Sequence, residues 1–229
     1  MSKTIVVIGF GPGVSSAVAE KFAAEGFSVA LVARSAGKLD AGVQTLKAKG
    51  VNAAAVPADA SDPVALAAAI GQARAALGPI TAIHWNAYGG DAGDLIAADP
   101  AAVRGVFDVA VVGLLAAVQA ALPDLKAAGD GAVLVTNGAF GELSPQIDAV
   151  AVGLKTMGLA LANAAKHKLV GLLAAQLKDQ GVYVGEVMIA GAVKGTAYDS
   201  GGPAIDPVRI ANTFWELYKG RGEIRARVS

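Results

Sequence analysis

The first strand and the glycine-rich loop after it constrain the fold of this chain more than any other stretch. Residues 3–8, Lys-Thr-Ile-Val-Val-Ile, form an apolar, β-branched run, which is typical of a strand buried on both faces. Gly9, Gly11 and Gly13 follow, and an alanine-rich amphipathic segment begins at Val14. Unpaired backbone N–H groups and the positive end of a helix dipole would converge on this loop. The stretch therefore predicts a site for a nucleotide pyrophosphate.

The end of the second predicted strand, residues 27–33, indicates which nucleotide would bind. With the first strand and helix it completes a β-α-β unit. In dinucleotide-binding folds an acidic residue at this strand end binds the ribose 2′-hydroxyl, whereas an arginine can pair with a 2′-phosphate. The chain has Ala33 followed by Arg34 and Ser35. This pattern favours NADP(H) over NAD(H), although a solvated surface arginine would give the same pattern.

Several stretches resemble the short-chain dehydrogenase/reductase superfamily. The glycine spacing resembles its Thr-Gly-x-x-x-Gly-Ile-Gly loop, and residues 85–88, Trp-Asn-Ala-Tyr, stand at its Asn-Asn-Ala-Gly turn. Residues 106–114 resemble its Phe-Asp-Val-Asn-Val-x-Gly helix, and residues 190–196 its Pro-Gly-x-Val-x-Thr turn. The resemblance runs through the chain in the right order. It implies one doubly wound Rossmann domain over residues 1–229, with six or seven mostly parallel strands and helices on both faces.

The resemblance also implies which residues beyond the glycine loop would hold the cofactor. The family places an aspartate at the adenine amino group, and uses the turn after its sixth strand to bind the nicotinamide carboxamide and a phosphate. The residues at the matching positions are Asp59 and Ala60 at the adenine, Asn86 and Ala87 along the cofactor, Val193 at the carboxamide and Thr196 at the phosphate.

The chain departs from the family at the four positions that carry its chemistry. The family uses a tyrosine as proton donor or acceptor, a lysine that lowers the pKa of that tyrosine, a serine that holds the substrate oxygen and an asparagine that anchors a water. In the favoured alignment register these positions hold Leu159, Asn163, Gly138 and Ala110. In a second register Lys155 takes the lysine position and Ala151 the tyrosine position, so the tyrosine is missing in both.

Three functions remain open at this point. The first is an oxidoreductase acting on a small carbonyl or alcohol with a non-standard proton donor, for which the candidates are Tyr88, Lys155, Tyr198 or a water held by Thr136 and Asn137. The second is a catalytically inactive nucleotide-binding sensor or partner subunit. The third, a haloalcohol-lyase relative, would need a halide pocket in place of the glycine loop, which Gly9 and Gly13 argue against.

Composition limits the remaining partners. The formal net charge is zero and the pI is about 6.7, so the chain offers no basic field for nucleic acid or an anionic membrane. The apolar stretch Val109–Val118 is about half as long as a membrane span and is expected to be a buried helix. The chain has no cysteine and two distant histidines, which argues against a metal site.

Two expectations concern location and assembly. The first strand begins at Lys3 with no charged leader before it, so we expect a cytoplasmic protein. Long helices are expected over about residues 100–126 and 148–178, and they are apolar around more of their circumference than one sheet can cover. This favours a homodimer or homotetramer built on these helices.

Overall fold

A computed structural model describes residues 3–229, where seven strands form one sheet and each strand is parallel to its neighbours. Met1 and Ser2 lie outside the described residues. The strands are β1 Lys3–Ile8, β2 Phe27–Ala33, β3 Ala53–Pro57, β4 Ile80–Trp85, β5 Ala132–Gly138, β6 Tyr183–Ile189 and β7 Arg225–Val228. Their order across the sheet is β3-β2-β1-β4-β5-β6-β7. The sheet reverses its direction of growth between β1 and β4, where such folds bind ligands at the carboxyl ends of the strands.

Within residues 3–229, eight α-helices connect the strands and cover both faces of the sheet. They are α1 Val14–Ala24, α2 Ala36–Ala48, α3 Pro63–Leu77, α4 Pro100–Phe107, α5 Leu114–Ala127, α6 Pro145–Gly153, α7 Met157–Leu177 and α8 Pro207–Gly220. One apolar core includes side chains of α1, α2 and α8, and a second includes side chains of α3, α5 and α7. The predicted doubly wound Rossmann architecture is confirmed.

The prediction of one long helix over residues 148–178 is wrong, because the structure has two helices there. Helix α6 ends at Gly153, and Lys155 adopts a left-handed backbone with φ of 52°. Helix α7 then begins at Met157. The backbone N–H groups of Met157 and Gly158 donate to the carbonyls of Gly93 and Ala92. These external acceptors satisfy the first N–H groups of α7, which have no partner within the helix.

The helix expected over residues 100–126 is present with one irregularity. Helices α4 and α5 are joined by a π-helical segment, Asp108–Gly113, so the chain is helical from Pro100 to Ala127. By length and composition alone this 28-residue stretch could cross a membrane, although core helices of soluble proteins pass the same test. Ala110, Leu114 and Ala117 are buried within it.

Candidate active site

The glycine loop between β1 and α1 is held tightly against two other loops. Gly9 has φ of 82°, and a Cβ there would lie 2.4 Å from the backbone nitrogen of Ala87. Gly13 has φ of 86°, and a Cβ there would lie 2.5 Å from Cγ2 of Thr196. Side chains at Gly9 and Gly13 would therefore be strained and would also collide with their neighbours. The β4 loop and the β6 loop thus form two walls beside the glycine loop.

Ser15, at the family's last glycine position, shapes the middle of this loop. The Gly11 N–H donates to Ser15 Oγ at 2.9 Å, and the Ser15 hydroxyl donates to the Gly11 carbonyl at 3.0 Å. A Cβ on Gly11 would meet nothing within 4 Å, so this side of the loop is open. Helix α1 has no side-chain cap and no acidic residue in its first turn. The first N–H groups of α1, from Val14 onward, fit an anion such as a pyrophosphate.

Arg34 and Asp59 lie at the ends of the neighbouring parallel strands β2 and β3. The backbone N–H and hydroxyl of Ser61 donate to Asp59 Oδ1 at 2.9 and 2.8 Å, and these bonds, with a smaller contribution from Arg34, lower the pKa of Asp59. Arg34 and Ser35 are exposed, and Ser35 precedes the first turn of α2. An exposed guanidinium is therefore available to an anionic group at this end of the cleft.

Asn86 and Thr196 hold the two walls of the cleft in place. The Asn86 side-chain amide donates to the Gly9 carbonyl at 3.3 Å, and its backbone N–H donates to the Ile8 carbonyl at 2.8 Å. The Thr196 hydroxyl donates to the Val193 carbonyl at 2.7 Å. The residues predicted to line the middle of the cofactor therefore meet around the glycine loop.

The structure brings Gly138 and Asn163 into direct contact. Gly138 ends β5, and a Cβ there would lie 2.7 Å from Asn163 Nδ2 on α7. Asn163 is buried, as are Leu159 one turn earlier and Ala110 in the π-helical segment. Ala60, predicted at the adenine, has its carbonyl beside Gly113, at the end of the π-helical segment.

A cluster of charged and polar side chains surrounds the buried Glu186 beside β5 and β6. The sequence analysis did not predict it. Glu186 is 0% exposed and accepts hydrogen bonds from Asn137 Nδ2, from His167 Nδ1 at 2.7 Å and from Arg225 Nε at 3.4 Å. Lys166 is also buried, and burial lowers its pKa to about 8 against the opposing effect of Glu186. The sequence signals were Glu186 within the apolar strand β6 and the run Lys-His-Lys at residues 166–168 within the largely apolar helix α7.

Thr136 and Asn137, the predicted holders of a catalytic water, are bound to different partners. Thr136 Oγ1 lies 2.9 Å from His84 Nε2. Asn137 Nδ2 donates to Glu186 and, at 3.0 Å, to the Asn163 carbonyl. Neighbouring residues of a strand point to opposite faces, so the structure does not bring these two side chains together. His84 is a core histidine because it is fully buried, and this burial lowers its pKa to about 3.

Tyr88 and Tyr198 face each other across the two walls of the cleft. Tyr88 follows Ala87, Tyr198 follows Thr196 by two residues, and their ring centroids are 6.3 Å apart with an interplanar angle of 42°. Partial burial, with a further effect of Tyr88, raises the pKa of Tyr198. Lys155 is exposed in the break between α6 and α7. A phenol is therefore present at the cleft, while the family's tyrosine position holds Leu159.

Comparison with known proteins places this geometry in a family. A 3-dehydrosphinganine reductase of Arabidopsis thaliana is 33% identical over 130 residues, which cover 56% of this chain. The matched region is 39% of that relative's length, so the chain spans well under half of it.

Two solved structures share the fold over the full length of this chain. A blue fluorescent protein from a metagenomic library, in complex with NADPH, is 23% identical with a TM-score of 0.85, covering 96% of that protein. A short chain oxidoreductase from Pseudomonas aeruginosa PAO1, NADPH bound and containing an atypical catalytic center, is 19% identical with a TM-score of 0.86, covering 95% of that protein. The family model described as short chain dehydrogenase matches residues 3–200. The chain thus belongs to the short chain dehydrogenase family.

Proposed function

We propose that this protein is an NADP(H)-dependent oxidoreductase that acts on a small carbonyl or alcohol through a non-standard proton donor. The observation that carries the proposal is the exposed Arg34 at the end of β2, beside a glycine loop whose helix N-terminus lacks any acidic residue. This arrangement complements a dinucleotide with an extra phosphate on its adenosine ribose. The NADPH complexes of the two structural neighbours are consistent with the same cofactor.

Different residues of this chain would bind different parts of the dinucleotide. The N–H groups at the start of α1 would hold the pyrophosphate, and Arg34 would pair with the 2′-phosphate. Asp59, Asn86, Val193 and Thr196 would contact the remaining parts of the dinucleotide. When bound, NADPH supplies a hydride. The protein must then supply a proton to the substrate oxygen, and positioned general acids contribute on the order of a hundred- to ten-thousand-fold.

We place the proton donor outside the four positions used by most of the family. Leu159 has no ionisable group, Asn163 has no charge, Gly138 has no hydroxyl and Ala110 has no amide side chain. Contact between Gly138 and Asn163 supports the alignment register in which these residues replace the serine and the lysine. Tyr88 is the best placed donor because it is half-exposed at the cleft wall formed by Ala87.

Arg34→Ala is expected to weaken NADPH binding by about 10- to 100-fold, because a charge-assisted pair with the phosphate is lost. NADH affinity should stay within about twofold, since NADH has no phosphate at this position. Both affinities can be measured by titrating nucleotide fluorescence with the wild type and the variant. Lys47→Ala removes an exposed charge at the far end of α2 and should change neither affinity. Equal wild-type affinity for the two nucleotides would overturn the cofactor assignment.

Tyr88→Phe is expected to lower the turnover number by about a hundredfold while leaving the affinity for NADPH unchanged, because only the donated proton is lost. The assay is NADPH oxidation with a panel of aldehydes, ketones and enones. Tyr183→Phe is the matched control, since its hydroxyl binds the Glu223 carbonyl away from the cleft. An unchanged turnover number in Tyr88→Phe would exclude Tyr88 as the proton donor and leave Lys155 as the next candidate to mutate.

The test also separates the proposal from its alternative. A wild type that binds NADPH tightly and turns over no member of the panel would favour a nucleotide-binding sensor or a partner subunit.

We also propose that the chain forms a single dinucleotide-binding domain that works in the cytoplasm as a homodimer or homotetramer. Members of the family are commonly oligomeric. Val112, Leu161 and Leu172 on the long helices are exposed apolar side chains, which supports an interface there.

A further inference from the structure

The two walls of the cleft are fixed at their bases and carry one tyrosine each. On one side, the contact between Gly9 and Ala87 fixes the loop from which Tyr88 projects. On the other, the contact between Gly13 and Thr196 fixes the start of the loop that carries Tyr198. Both tyrosines therefore stand at the rim of the site that the glycine loop forms.

The loop that carries Tyr198 is closed at its neck. We call residues 194–204 the lid. The Lys194 N–H donates to the Ile205 carbonyl at 3.0 Å, and the Ile205 N–H donates to the Ala192 carbonyl at 2.8 Å. Asp199 accepts the N–H groups of Gly195 and Gly201 within the lid, at 2.9 and 3.1 Å. These hydrogen bonds make the lid a preformed unit whose two ends meet at the neck.

The tyrosines are the side chains through which the lid reaches the opposite wall. Their rings are 6.3 Å apart, within the range of aromatic pairs that attract each other. Each is nevertheless about half exposed, Tyr88 at 52% and Tyr198 at 48%, so the contact can open without uncovering a core. A contact of this strength suits reversible closure.

We propose that Tyr88 and Tyr198 form a clasp across the cleft that retains the dinucleotide and controls its dissociation. The inference rests on the proposed function, because it requires a nucleotide in the cleft. It assigns Tyr198 a role in binding that is separate from proton donation by Tyr88. Opening of the clasp would precede release of the nucleotide, as lid opening does in many enzymes.

Removing one ring should speed dissociation by about 3- to 10-fold, given the strength of an aromatic pair. Stopped-flow measurement of NADPH fluorescence gives both rate constants for the wild type and for Tyr198→Ala, Tyr88→Ala and the double variant. The double variant should release NADPH no faster than the faster single variant, because the rings act as one contact. Tyr198→Phe keeps the ring but loses the hydroxyl that interacts with Tyr88, so its dissociation rate should lie between those of the wild type and Tyr198→Ala. Ile96→Ala, a highly exposed apolar residue outside the clasp, is the control.

The absence of cysteine allows a direct test of closure. Tyr88→Cys and Tyr198→Cys can be combined and joined by a short bis-maleimide linker, with each single variant as a control. If the linker is added after NADPH, release should slow by at least about tenfold. If it is added before NADPH, association should slow by a similar factor.

The outcomes distinguish the clasp from the proposed function. Failure of the wild type to bind NADPH would overturn both. Tight binding with dissociation rates unchanged in Tyr198→Ala, or rates unaffected by the linker, would overturn the clasp and leave the cofactor assignment standing.

Discussion

Gly9→Ala is expected to destabilise the protein by on the order of 3–4 kcal/mol, a loss at the high end for a single substitution. A left-handed backbone costs an L-residue about 1–2 kcal/mol, and Gly9 has φ of 82°. The added Cβ would also lie 2.4 Å from the Ala87 nitrogen, a backbone atom that cannot rotate away. Shifting that wall of the cleft should weaken NADPH binding by about 100-fold, or about 2.8 kcal/mol.

Gly11→Ala is the matched control, since it adds the same methyl group two residues away. A Cβ there would meet nothing within 4 Å, and φ at Gly11 is not positive. Its unfolding free energy should stay within about 0.5 kcal/mol of wild type. Urea unfolding of both variants checks the loss of stability, and nucleotide titration of Gly9→Ala checks the loss of binding. An equal loss of unfolding free energy in the two variants would show that the contact between Gly9 and Ala87 does not determine stability.

Glu186→Ala is expected to lower the unfolding free energy by about 3–5 kcal/mol, because it removes the buried carboxylate that offsets the charge of the buried Lys166 and accepts from the Asn137 amide. Glu186 bridges Asn137 on β5, His167 on α7 and Arg225 on β7, and it faces the buried Lys166. Adding Lys166→Met to the variant should recover part of the loss, since an uncompensated buried charge is then removed. Urea denaturation of the single and double variants measures both effects.

Glu20→Ala provides the surface comparison for this cluster. Glu20 pairs with Lys49 at 2.9 Å, but both side chains are about half exposed, and such pairs contribute little. We expect this variant to be nearly neutral. A Glu186→Ala variant no less stable than Glu20→Ala would contradict the role given to the buried cluster.

The sequence was most informative where backbone chemistry dictates structure. The apolar run at residues 27–33 predicted strand β2, Phe27–Ala33. Asp62 followed by Pro63 is likewise typical of a helix start, and α3 begins at Pro63. The Asp62 carboxylate does accept the N–H groups of Val64 and Ala65 at the start of that helix. Each of these signals is local, so a single sequence contains it.

Features that depend on residues distant in the chain could not be predicted in this way. The break before α7 depends on the carbonyls of Ala92 and Gly93, some 60 residues earlier. The pairing of Tyr88 with Tyr198 joins residues 110 positions apart in the chain. Strand alternation alone, however, shows that Thr136 and Asn137 cannot both point toward one site. The expectation that they jointly hold a water ignored this alternation.

The neck of the lid has a consequence for how such a protein could diversify. Because Val193 and Ile205 pair and fix both ends of the loop, its interior can change length at only a modest entropic cost. Such a change would leave the sheet unaltered. Residues 200–204, which lie beyond Thr196 and Tyr198, can therefore be exchanged as a cassette that alters the entrance of the cleft while the contact between Gly13 and Thr196 is kept.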